Sequence, residues 1–460
     1  MENLNLKLFE GEKFHFIGIG GISMSALALM LKYNGFYVQG SDEVNNSEVQ
    51  KLIKKGVNVF IGHSENNIKD CGVVVVSSAI HDDNPELKFA IDNNLKIIKR
   101  AELLGAISNL YKIVIAVAGS HGKTTTTALI SEIFISAGLN PTVHIGGVLN
   151  SINSNLKIGG KKYFITENCE YMDNFLNIKP DVSVILNIDS DHLDYFGDLD
   201  GVKNSFYRYA TGTKEGGINL ICDLDENSDD LYNLQNSVKF GIDKHSDIYA
   251  KNIKEYKSGF YSFDVMFSGC CLGEIKLNIV GKHNVLNALA SVFVGLVCGV
   301  DFCDIKKSVE EFSGVKRRCE VVGDVNGAIV FHDYAHHPKQ IEKMIDVALS
   351  CKNKTNGRVI VVFEPHTFSR TKYLLEDFAR SFSRCDKLIL APVYSARENE
   401  SAGATSSELL FKTAQFVNDI EILETYPKIA KRIKEISKQG DVVMILGAGT
   451  IENLSNIVTG

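Results

Sequence analysis

The sequence contains no tryptophan, no long hydrophobic run and no cluster of basic residues. The absence of tryptophan argues against a Trp-lined sugar or membrane platform. The longest mostly apolar stretch, residues 288–300, is shorter than the roughly 20 residues that cross a bilayer, so we predict no membrane span. The 49 basic residues are scattered and the net charge is −7, which argues against a nucleic-acid or anionic-membrane surface.

The ten cysteines form no Cys-x-x-Cys pair, and the N-terminal residues lack the basic start and apolar run of a secretory signal. We therefore predict reduced, mostly structural thiols in a cytoplasmic protein. A length of 460 residues corresponds to about two to four domains. Apolar residues make up 45% and charged residues 23%, which is typical of compact globular chains rather than disordered ones.

Three segments each begin with an apolar β-type run, pass through a polar or glycine-rich turn and continue into a helical pattern. Such units are typical of parallel α/β construction. They begin near Phe14, Lys112 and Ala328. Between about residues 240 and 280, short alternating runs predict an antiparallel insertion at the edge of the middle domain. We predict domains at residues 1–111, 112–319 and 320–460.

The sharpest local motif lies between an apolar strand and a helix and reads Gly-Ser-His-Gly-Lys-Thr. The backbone of such a loop binds phosphate, its lysine reaches the terminal phosphates and its threonine ligates Mg²⁺. The usual loop has four residues between the first glycine and the Gly-Lys pair, whereas this one has two. A tight glycine turn with a surface lysine is the alternative. The predicted ATP-binding residues here are Gly119, Ser120, His121, Gly122, Lys123, Thr124 and Thr125.

A second glycine-rich turn follows the first strand, and a carboxylate stands at the end of the next strand. The pattern resembles a dinucleotide fingerprint, but a glycine turn at a helix N-terminus suits any nucleoside diphosphate. An NAD site, another diphosphate ligand and a purely structural turn are all open at this point. The candidate binding residues are Gly18, Gly20, Gly21, Ser41, Asp42, Ser77 and Ser78.

Polar residues also follow two strands downstream of the phosphate-loop motif. Glu167 ends one apolar run, and His192 follows another. Because open parallel sheets bind ligands at the carboxyl ends of their strands, both residues are candidates for Mg²⁺ held with ATP. A structural histidine and acidic helix caps are the alternatives.

The last third of the chain has polar segments at two strand ends, residues 332–338 and 363–370. They contain four histidines, but these lie in loops bounded by proline, so substrate recognition is a better interpretation than a transition-metal centre. The arginines at 317–318 could clamp phosphate oxygens or form solvated charge pairs. Asn284 and Asn287 suit hydrogen bonds to a base or ribose, or a helix cap.

In their order along the chain, these motifs resemble the Mur ligase family of peptidoglycan synthesis over nearly the whole length. The resemblance implies a Rossmann-like N-terminal domain for a UDP-sugar, a central P-loop ATPase domain and a Rossmann-like C-terminal domain that completes the nucleotide and amino-acid sites. It implies that ATP phosphorylates the lactyl carboxylate of UDP-N-acetylmuramate, and that the amine of L-alanine then attacks the acyl phosphate. Two Mg²⁺ ions are implied as cofactors.

The same resemblance implies a role for each candidate residue. Those expected to act in catalysis are Lys123, His192 and Arg318. Those expected to hold Mg²⁺ are Thr124, Glu167 and His192. Further ATP contacts are expected from Asn284, Asn287, Arg318 and Asp333, and contacts to the amino acid from Tyr334, His336 and Arg370.

Some positions depart from the family pattern. Glu170 lies in a less acidic stretch than in many relatives and receives no metal role, and Thr367 stands where arginine is common. No lysine occupies the position at which several sister ligases carry a carbamylated one. The alternatives are a recycling ligase that attaches an intact tripeptide to the same UDP-sugar, an NAD-dependent oxidoreductase and a non-catalytic ATP-binding switch.

Overall fold

The computed structural model describes residues 4–352, 356–396 and 398–460. Its strands form three sheets of five, ten and six strands, which follow one another along the chain. One compact unit comprises Met1–Lys251, Asp264–Ile275 and Leu286–Glu311, and the other comprises Asn252–Phe263, Lys276–Val285 and Phe312–Gly460. The predicted α/β class, with a mixed central sheet, is confirmed.

The five-stranded sheet is parallel throughout and has the order β3-β2-β1-β4-β5. Its strands are β1 (Lys13–Ile17), β2 (Tyr37–Asp42), β3 (Asn58–Ile61), β4 (Val73–Val76) and β5 (Lys96–Lys99). Its helices are α1 (Ile22–Tyr33), α2 (Ser47–Lys54), α3 (Pro85–Asp92) and α4 (Arg100–Ser108). Strand order reverses between β1 and β4, so a ligand crevice is expected at the carboxyl ends of these two strands.

The ten-stranded sheet has the order β15-β14-β13-β12-β11-β10-β6-β9-β7-β8. Its strands are β6 (Ile113–Ala118), β7 (Thr142–Leu149), β8 (Ser154–Lys157), β9 (Tyr163–Glu167), β10 (Val182–Ile185), β11 (Ile218–Cys222), β12 (Ser237–Gly241), β13 (Ile248–Lys257), β14 (Phe260–Phe267) and β15 (Cys270–Val280). The associated helices are α5 (Lys123–Ser136), α6 (Leu193–Phe196), α7 (Leu199–Thr211), α8 (Asn284–Val297) and α9 (Phe302–Glu311).

The centre of this sheet is parallel, and its two edges are not. Two-residue turns join β13 to β14 and β14 to β15, which is the connection typical of antiparallel hairpins and matches the predicted insertion. At the opposite edge, β8 pairs antiparallel with β7. The sequence analysis did not predict β8, because a four-residue strand with a polar start has no clear apolar run.

The six-stranded sheet has the order β16-β17-β21-β18-β19-β20, and only β16 runs antiparallel to its neighbour. Its strands are β16 (Glu320–Val325), β17 (Ala328–Asp333), β18 (Val359–Phe363), β19 (Lys387–Leu390), β20 (Ile420–Ile422) and β21 (Val442–Leu446). Its helices are α10 (Pro338–Cys351), α11 (Phe368–Tyr373), α12 (Leu375–Ser381), α13 (Ser406–Thr413), α14 (Tyr426–Ile436) and α15 (Glu452–Thr459). Strands β18 and β21 are completely buried, as expected for apolar strands covered by helices on both faces.

Apolar packing joins the first two sheets into one core. Phe14 and Phe16 of β1 belong to the same buried cluster as Val114 of β6 and Phe164 of β9. This shared core fixes the carboxyl ends of β1 and β6 relative to each other. All ten cysteines are free thiols. None of the helices among the described residues combines the length and apolarity that a membrane span requires.

Candidate active site

The phosphate-loop motif lies between the end of β6 and the start of α5, as the sequence predicts. Gly119 has a φ of +134° and Gly122 a φ of +85°, values at which a residue with a side chain is strained. A Cβ on Gly122 would also lie 2.7 Å from Oδ1 of Asn287. Helix α5 also ends at a glycine with a left-handed backbone, since Gly138 follows it with a φ of +70°. The glycines are therefore conformational requirements of this segment.

The segment after β10 holds the loop in place. The backbone N–H of His121 donates to Oδ1 of Asn187 (2.8 Å), and Nδ2 of Asn187 donates back to the His121 carbonyl (3.1 Å). The backbone N–H of Asp189 donates to Oγ of Ser120 (2.9 Å). Asp189 also lies 3.2 Å from Nε2 of His121. Neither Asn187 nor Asp189 is among the site residues predicted from the sequence, although both follow a strand of the predicted site.

Lys123 forms a buried ion pair with Glu170. The distance from Nζ to Oε2 is 2.9 Å, and the Glu170 side chain is 1% exposed. Lys123 also donates to the carbonyl of Gly119 (2.5 Å). Burial alone would lower the pKa of Lys123, but the Glu170 carboxylate more than offsets burial and raises this pKa above its usual value. Lys123 is thus a permanent cation whose charge is balanced by a residue that the sequence analysis left out of the site.

Thr124 and Glu167, the predicted pair for one Mg²⁺, lie side by side. Oγ1 of Thr124 donates to Oε2 of Glu167 (2.8 Å), and the backbone N–H of Gly146 donates to the same oxygen (2.9 Å). A hydroxyl and a carboxylate are the hard oxygen ligands that Mg²⁺ prefers. The residues present therefore fit the predicted ion, and the assignment of Mg²⁺ to them stays a prediction.

A second group of possible metal ligands consists of Glu170, Asp191 and His192. One ligand atom from each lies within 4.8 Å of the others. Two carboxylates and an imidazole suit a divalent cation. Only His192 of the three was predicted from the sequence. Glu170 therefore pairs with Lys123 and also belongs to this second group.

Left-handed backbone conformations shape this second group. Met172, Asp173 and His192 have φ values of 55°, 57° and 57°, which are uncommon for residues other than glycine. Asp173 accepts a hydrogen bond from Nη1 of Arg208 (3.0 Å) in α7. The Tyr171 ring lies 4.6 Å from the His192 ring. These contacts hold the two loops that carry Glu170 and His192.

The first glycine turn is held by the carboxylate after β2. Oδ2 of Asp42 accepts a hydrogen bond from the backbone N–H of Gly20 (2.8 Å), so Asp42 stabilises the turn itself. Gly18 has a φ of +75° in this turn. Ser77 and Ser78 follow β4 at the same edge of the sheet, where Ser77 is half-buried and Ser78 is exposed. Gly21 is the residue before the start of α1.

Ser41 belongs instead to a buried polar network centred on Glu86. Glu86 is fully buried and accepts hydrogen bonds from Oγ of Ser41 (2.5 Å) and Nδ2 of Asn67 (2.7 Å), with His15 at 3.2 Å. Burial alone would raise the pKa of Glu86, but these hydrogen bonds outweigh burial and lower this pKa to about 2. Glu86 was not predicted as a site residue, because an acidic residue in the first turn of a helix is common and gives no sequence signal of its own.

Asn284 and Asn287 both lie in the first turn of α8. Nδ2 of Asn284 donates to the carbonyl of Val280 (2.8 Å), whereas Asn287 approaches Gly122 of the phosphate loop. Both side chains are buried. Asn284 thus makes the local contact expected of a residue at a helix start, and Asn287 lies beside the phosphate loop. The ATP contacts of both residues stay predictions.

Asp333 ends β17 and holds the chain on both sides of it. Its carboxylate accepts hydrogen bonds from the backbone N–H of Cys319 (2.7 Å) and of Ala335 (2.7 Å). Burial raises the pKa of Asp333, and the nearby charge of Arg318 opposes this effect. The Arg318 guanidinium lies 5.4 Å from the centre of the Tyr334 ring. The structure thus brings Arg318, Asp333 and Tyr334 together, and their ligand roles stay predictions.

Arg317 has a different environment from its neighbour. Its Nη1 forms an ion pair with Glu452 (2.9 Å), and its Nη2 donates to the carbonyl of Gly449 (3.1 Å). Of the two adjacent arginines, Arg317 therefore has the structural role that the sequence analysis kept as an alternative.

The predicted amino-acid-binding residues meet in what we call the histidine cluster, formed by Tyr334, His336, His366, Arg370 and Tyr394. Nη1 of Arg370 lies 3.3 Å from Nδ1 of His366, and the His336 and His366 rings are 6.1 Å apart. Burial lowers the pKa of His336 to about 4, and the charge of Arg370 adds to this shift. Among the described residues, no carboxylate lies within ion-pair distance of Arg370. The cluster therefore presents Arg370 without a carboxylate partner, and the guanidinium groups of Arg317 and Arg318 lie 4.8 and 5.4 Å from the centre of its Tyr334 ring.

Comparison with protein families agrees with this geometry. The family "Mur ligase family, catalytic domain" matches residues 13–112, "Mur ligase middle domain" matches residues 117–295, and "Mur ligase, glutamate ligase domain" matches residues 317–449. The UDP-N-acetylmuramate--L-alanine ligase of Caldanaerobacter subterraneus is 43% identical over 450 residues, with 97% of each chain covered.

Solved structures show the same relationship. The UDP-N-acetylmuramate-alanine ligase of Thermotoga maritima matches with a TM-score of 0.80 and 28% identity, over 97% of this chain and 98% of that one. A murein peptide ligase of Psychrobacter arcticus matches with a TM-score of 0.72 and 23% identity, over 97% and 98% of the two chains, and shares the fold. With three family matches in order and a relative this similar over its whole length, the chain belongs to the Mur ligase family.

Proposed function

We propose that this chain uses ATP to join L-alanine to the lactyl carboxylate of UDP-N-acetylmuramate, a step of peptidoglycan precursor synthesis. Relatives that are 43% identical over nearly the full length are named for this ligation. The observation that carries the proposal is the placement of Lys123. It lies in a phosphate loop beside both Glu170 and the Thr124–Glu167 pair, as an ATP-cleaving site requires.

The reactants explain why these groups are needed. A carboxylate is a poor electrophile, so its oxygen first attacks the γ-phosphorus of ATP and the bond to the β,γ-bridging oxygen breaks, which releases ADP. The amine of L-alanine then attacks the acyl carbon, the amine loses a proton, and phosphate leaves. Because both partners in the first step are anionic, cations must screen them. Lys123 supplies one fixed cation by exchanging its contact with Glu170 for phosphate oxygens.

We assign the remaining screening of the anionic reactants to metal ions that residues of this chain would hold. Thr124 and Glu167 would hold one Mg²⁺, and His192, with Glu170 and Asp191, would hold a second. When bound, such ions neutralise phosphate oxygens. Glu170 then serves both groups, since the same carboxylate that pairs with Lys123 belongs to the second ligand set.

The substrate-binding assignments follow the two outer sheets. In the first, Gly18, Gly20, Gly21, Ser77 and Ser78 would bind the UDP-sugar directly, with Asp42 and Ser41 supporting them from the turn and the buried network. In the last, Arg370 would pair with the carboxylate of L-alanine, and Tyr334 and His336 would line its pocket. The ATP contacts assigned outside the phosphate loop are Asn284, Asn287, Arg318 and Asp333.

ADP release tests the proposal directly. The full-length protein is incubated with ATP, Mg²⁺ and UDP-N-acetylmuramate, and L-alanine, glycine, L-serine and the tripeptide are compared as acceptors. We expect L-alanine to give the fastest release. ADP release only with the tripeptide would identify the recycling ligase. The absence of any acceptor-dependent ADP release would indicate a nucleotide-binding switch. Binding of NADH without ATP turnover would favour the oxidoreductase.

A further inference from the structure

Arg100 lies on the ligand side of the five-stranded sheet. It is the first residue of α4 and directly follows the last residue of β5. Since every strand of this sheet is parallel, Arg100 shares the carboxyl edge with the glycine turn after β1 and with Ser77 after β4. Ligands of open α/β sheets bind at this edge. Arg100 is not among the site residues predicted from the sequence.

The guanidinium of Arg100 has a single partner, and that partner is neutral. Its Nη1 donates to Oγ of Ser23 (3.2 Å), which stands in the first turn of α1 just after the glycine turn. Among the described residues, no carboxylate forms an ion pair with Arg100. The acid in its own first turn, Glu102, accepts instead from the backbone N–H of Lys99 (3.0 Å). Arg100 is thus a half-buried cation without a counter-ion.

This placement is electrostatically unfavourable without an anion. Burial lowers the pKa of Arg100, which means that its charge has lost hydration. A cation in the first turn of a helix also opposes the positive end of the helix dipole. The first turn of α1, to which Arg100 is tied through Ser23, contains no acidic residue either. An arginine has five N–H donors in a planar fork, and a protein that buries one without a carboxylate leaves most of them for a ligand.

The charge of Arg100 also acts on a buried residue of the central sheet. Its charge contributes to lowering the pKa of His144, a buried residue of β7, to about 4, after the larger effect of burial. Both sheets belong to one compact unit with a shared core. The guanidinium therefore contacts the segment that follows the glycine turn and acts on a buried residue of the central sheet.

We propose that Arg100 binds an anionic oxygen of the UDP-sugar substrate. The inference rests on the proposed function, and it adds a binding residue to that site. Ser23 fixes the plane of the guanidinium, and the ligand oxygen takes the donors that no protein carboxylate occupies. Such an oxygen is present in the diphosphate, which is proposed to bind at the glycine turn, and in the lactyl carboxylate, which must reach the phosphate held by Lys123.

Calorimetric binding separates these two sources. Arg100→Gln and Arg100→Lys are compared with wild type for UDP-N-acetylmuramate and for UDP-N-acetylglucosamine, which has the diphosphate but no lactyl carboxylate. Lys99→Gln is the matched control, because it removes an exposed cation from the neighbouring position. We expect Arg100→Gln to weaken binding of UDP-N-acetylmuramate by roughly 10- to 100-fold, the range for a hydrogen bond to a charged group. ATP binding should not change.

Equal losses for both nucleotides would assign Arg100 to the diphosphate, and a loss confined to UDP-N-acetylmuramate would assign it to the lactyl carboxylate. A loss no larger than that of Lys99→Gln would overturn the proposal. If Arg100→Gln fails to unfold cooperatively, Arg100→Lys, which keeps the charge and loses the fork, is judged by the same comparison. ADP release by the wild type with L-alanine is measured in parallel, so that failure of the proposed function is seen separately.

Discussion

The phosphate loop and the histidine cluster both stand at carboxyl ends of parallel strands, yet their charges are arranged in opposite ways. In the phosphate loop, Lys123 is paired with a carboxylate and neighbours another in Glu167. In the histidine cluster, Arg370 contacts His366 and has no carboxylate within ion-pair distance among the described residues. One region balances its cation within the protein, and the other leaves it to a ligand.

The difference matches what each region is proposed to bind. ATP arrives with its own negative charge and with metal ions, so a site that contains carboxylates and a lysine can exchange partners without a net change of buried charge. L-Alanine brings a carboxylate and an amine that must lose a proton before it attacks. Neutral imidazoles do not compete for its carboxylate, and a single arginine can orient it.

The largest expected effect comes from removing the cation of the balanced region. Lys123→Ala should reduce turnover by about 10² to 10³, because a charge contact to the transferred phosphoryl group is lost. It should also lower the free energy of unfolding by about 3 kcal/mol, because the buried Glu170 loses its partner. ADP release and urea denaturation measure the two effects.

A double variant distinguishes the two causes. Lys123→Ala combined with Glu170→Gln removes both charges, so the free energy of unfolding should recover while turnover stays low. If the single variant turned over ATP at a near-normal rate, the phosphate-loop assignment would be wrong. If the double variant were no more stable than the single one, the ion pair would contribute little to the free energy of unfolding.

The next effect concerns the unbalanced region. Arg370→Ala should raise the KM for L-alanine by roughly 10- to 100-fold, since a hydrogen bond to a carboxylate is lost. Formation of the acyl phosphate in the absence of L-alanine should persist, and borohydride reduction to the lactyl alcohol measures it. Lys372→Ala, an exposed cation of the same helix, is the control. Equal loss of acyl phosphate and amide would place Arg370 in activation or folding.

A smaller effect distinguishes the two sets of metal ligands. Glu167→Gln should require about tenfold more Mg²⁺ for half-maximal rate, because an amide is a weaker ligand for a hard cation than a carboxylate. Asp191→Asn tests the second set in the same titration. Glu215→Gln, an exposed carboxylate outside both sets, is the control. Wild-type Mg²⁺ dependence in both variants would contradict the metal roles.

Local patterns were sufficient to predict the strands that begin the three α/β segments, β1, β6 and β17, and the two glycine turns. A buried parallel strand is a continuous apolar run, and a glycine with positive φ must follow it where the chain turns sharply, as at Gly119. The edge strands β8 and β16 were not predicted, since a short strand with partly exposed residues has no such run. Sequence order then predicted which strand ends carry the candidate site residues, and the roles of those residues stay predictions.

The missing site residues depend on contacts between distant segments. Glu170 was left out because its neighbours in sequence are not acidic, but left-handed residues at 172 and 173 shape the loop that carries it, and its side chain meets Lys123. Arg100 reads as an ordinary first residue of a helix, and only the absence of a counter-ion in three dimensions distinguishes it. Neither signal is available from spacing along the chain.

The smallest expected effect concerns His336, whose protonation should not change the recognition of L-alanine near neutral pH. His336 has a pKa of about 4 in the folded protein, below its usual value of 6.5, chiefly because of burial. It is therefore neutral from pH 8 down to about pH 5.5, and it gains a proton only as the pH approaches 4. Since the unfolded chain binds that proton near pH 6.5, folding stability falls as the pH drops from about 6.5 to about 4. Ligand recognition at neutral pH should then depend on the charge of Arg370 and not on a charge on His336.

The ratio of kcat/KM for L-alanine between wild type and His336→Asn tests this neutrality. Taking the ratio at each pH cancels the ionisation of the L-alanine amine, which affects both proteins equally. If His336 is neutral, the ratio should stay constant within about twofold from pH 8 to 5.5. A ratio that rises or falls sigmoidally with a midpoint near 6.5 would mean that a charged imidazole contributes to binding. The histidine cluster would then hold two cations, and its contrast with the balanced charges of the phosphate loop would be greater than the structure indicates.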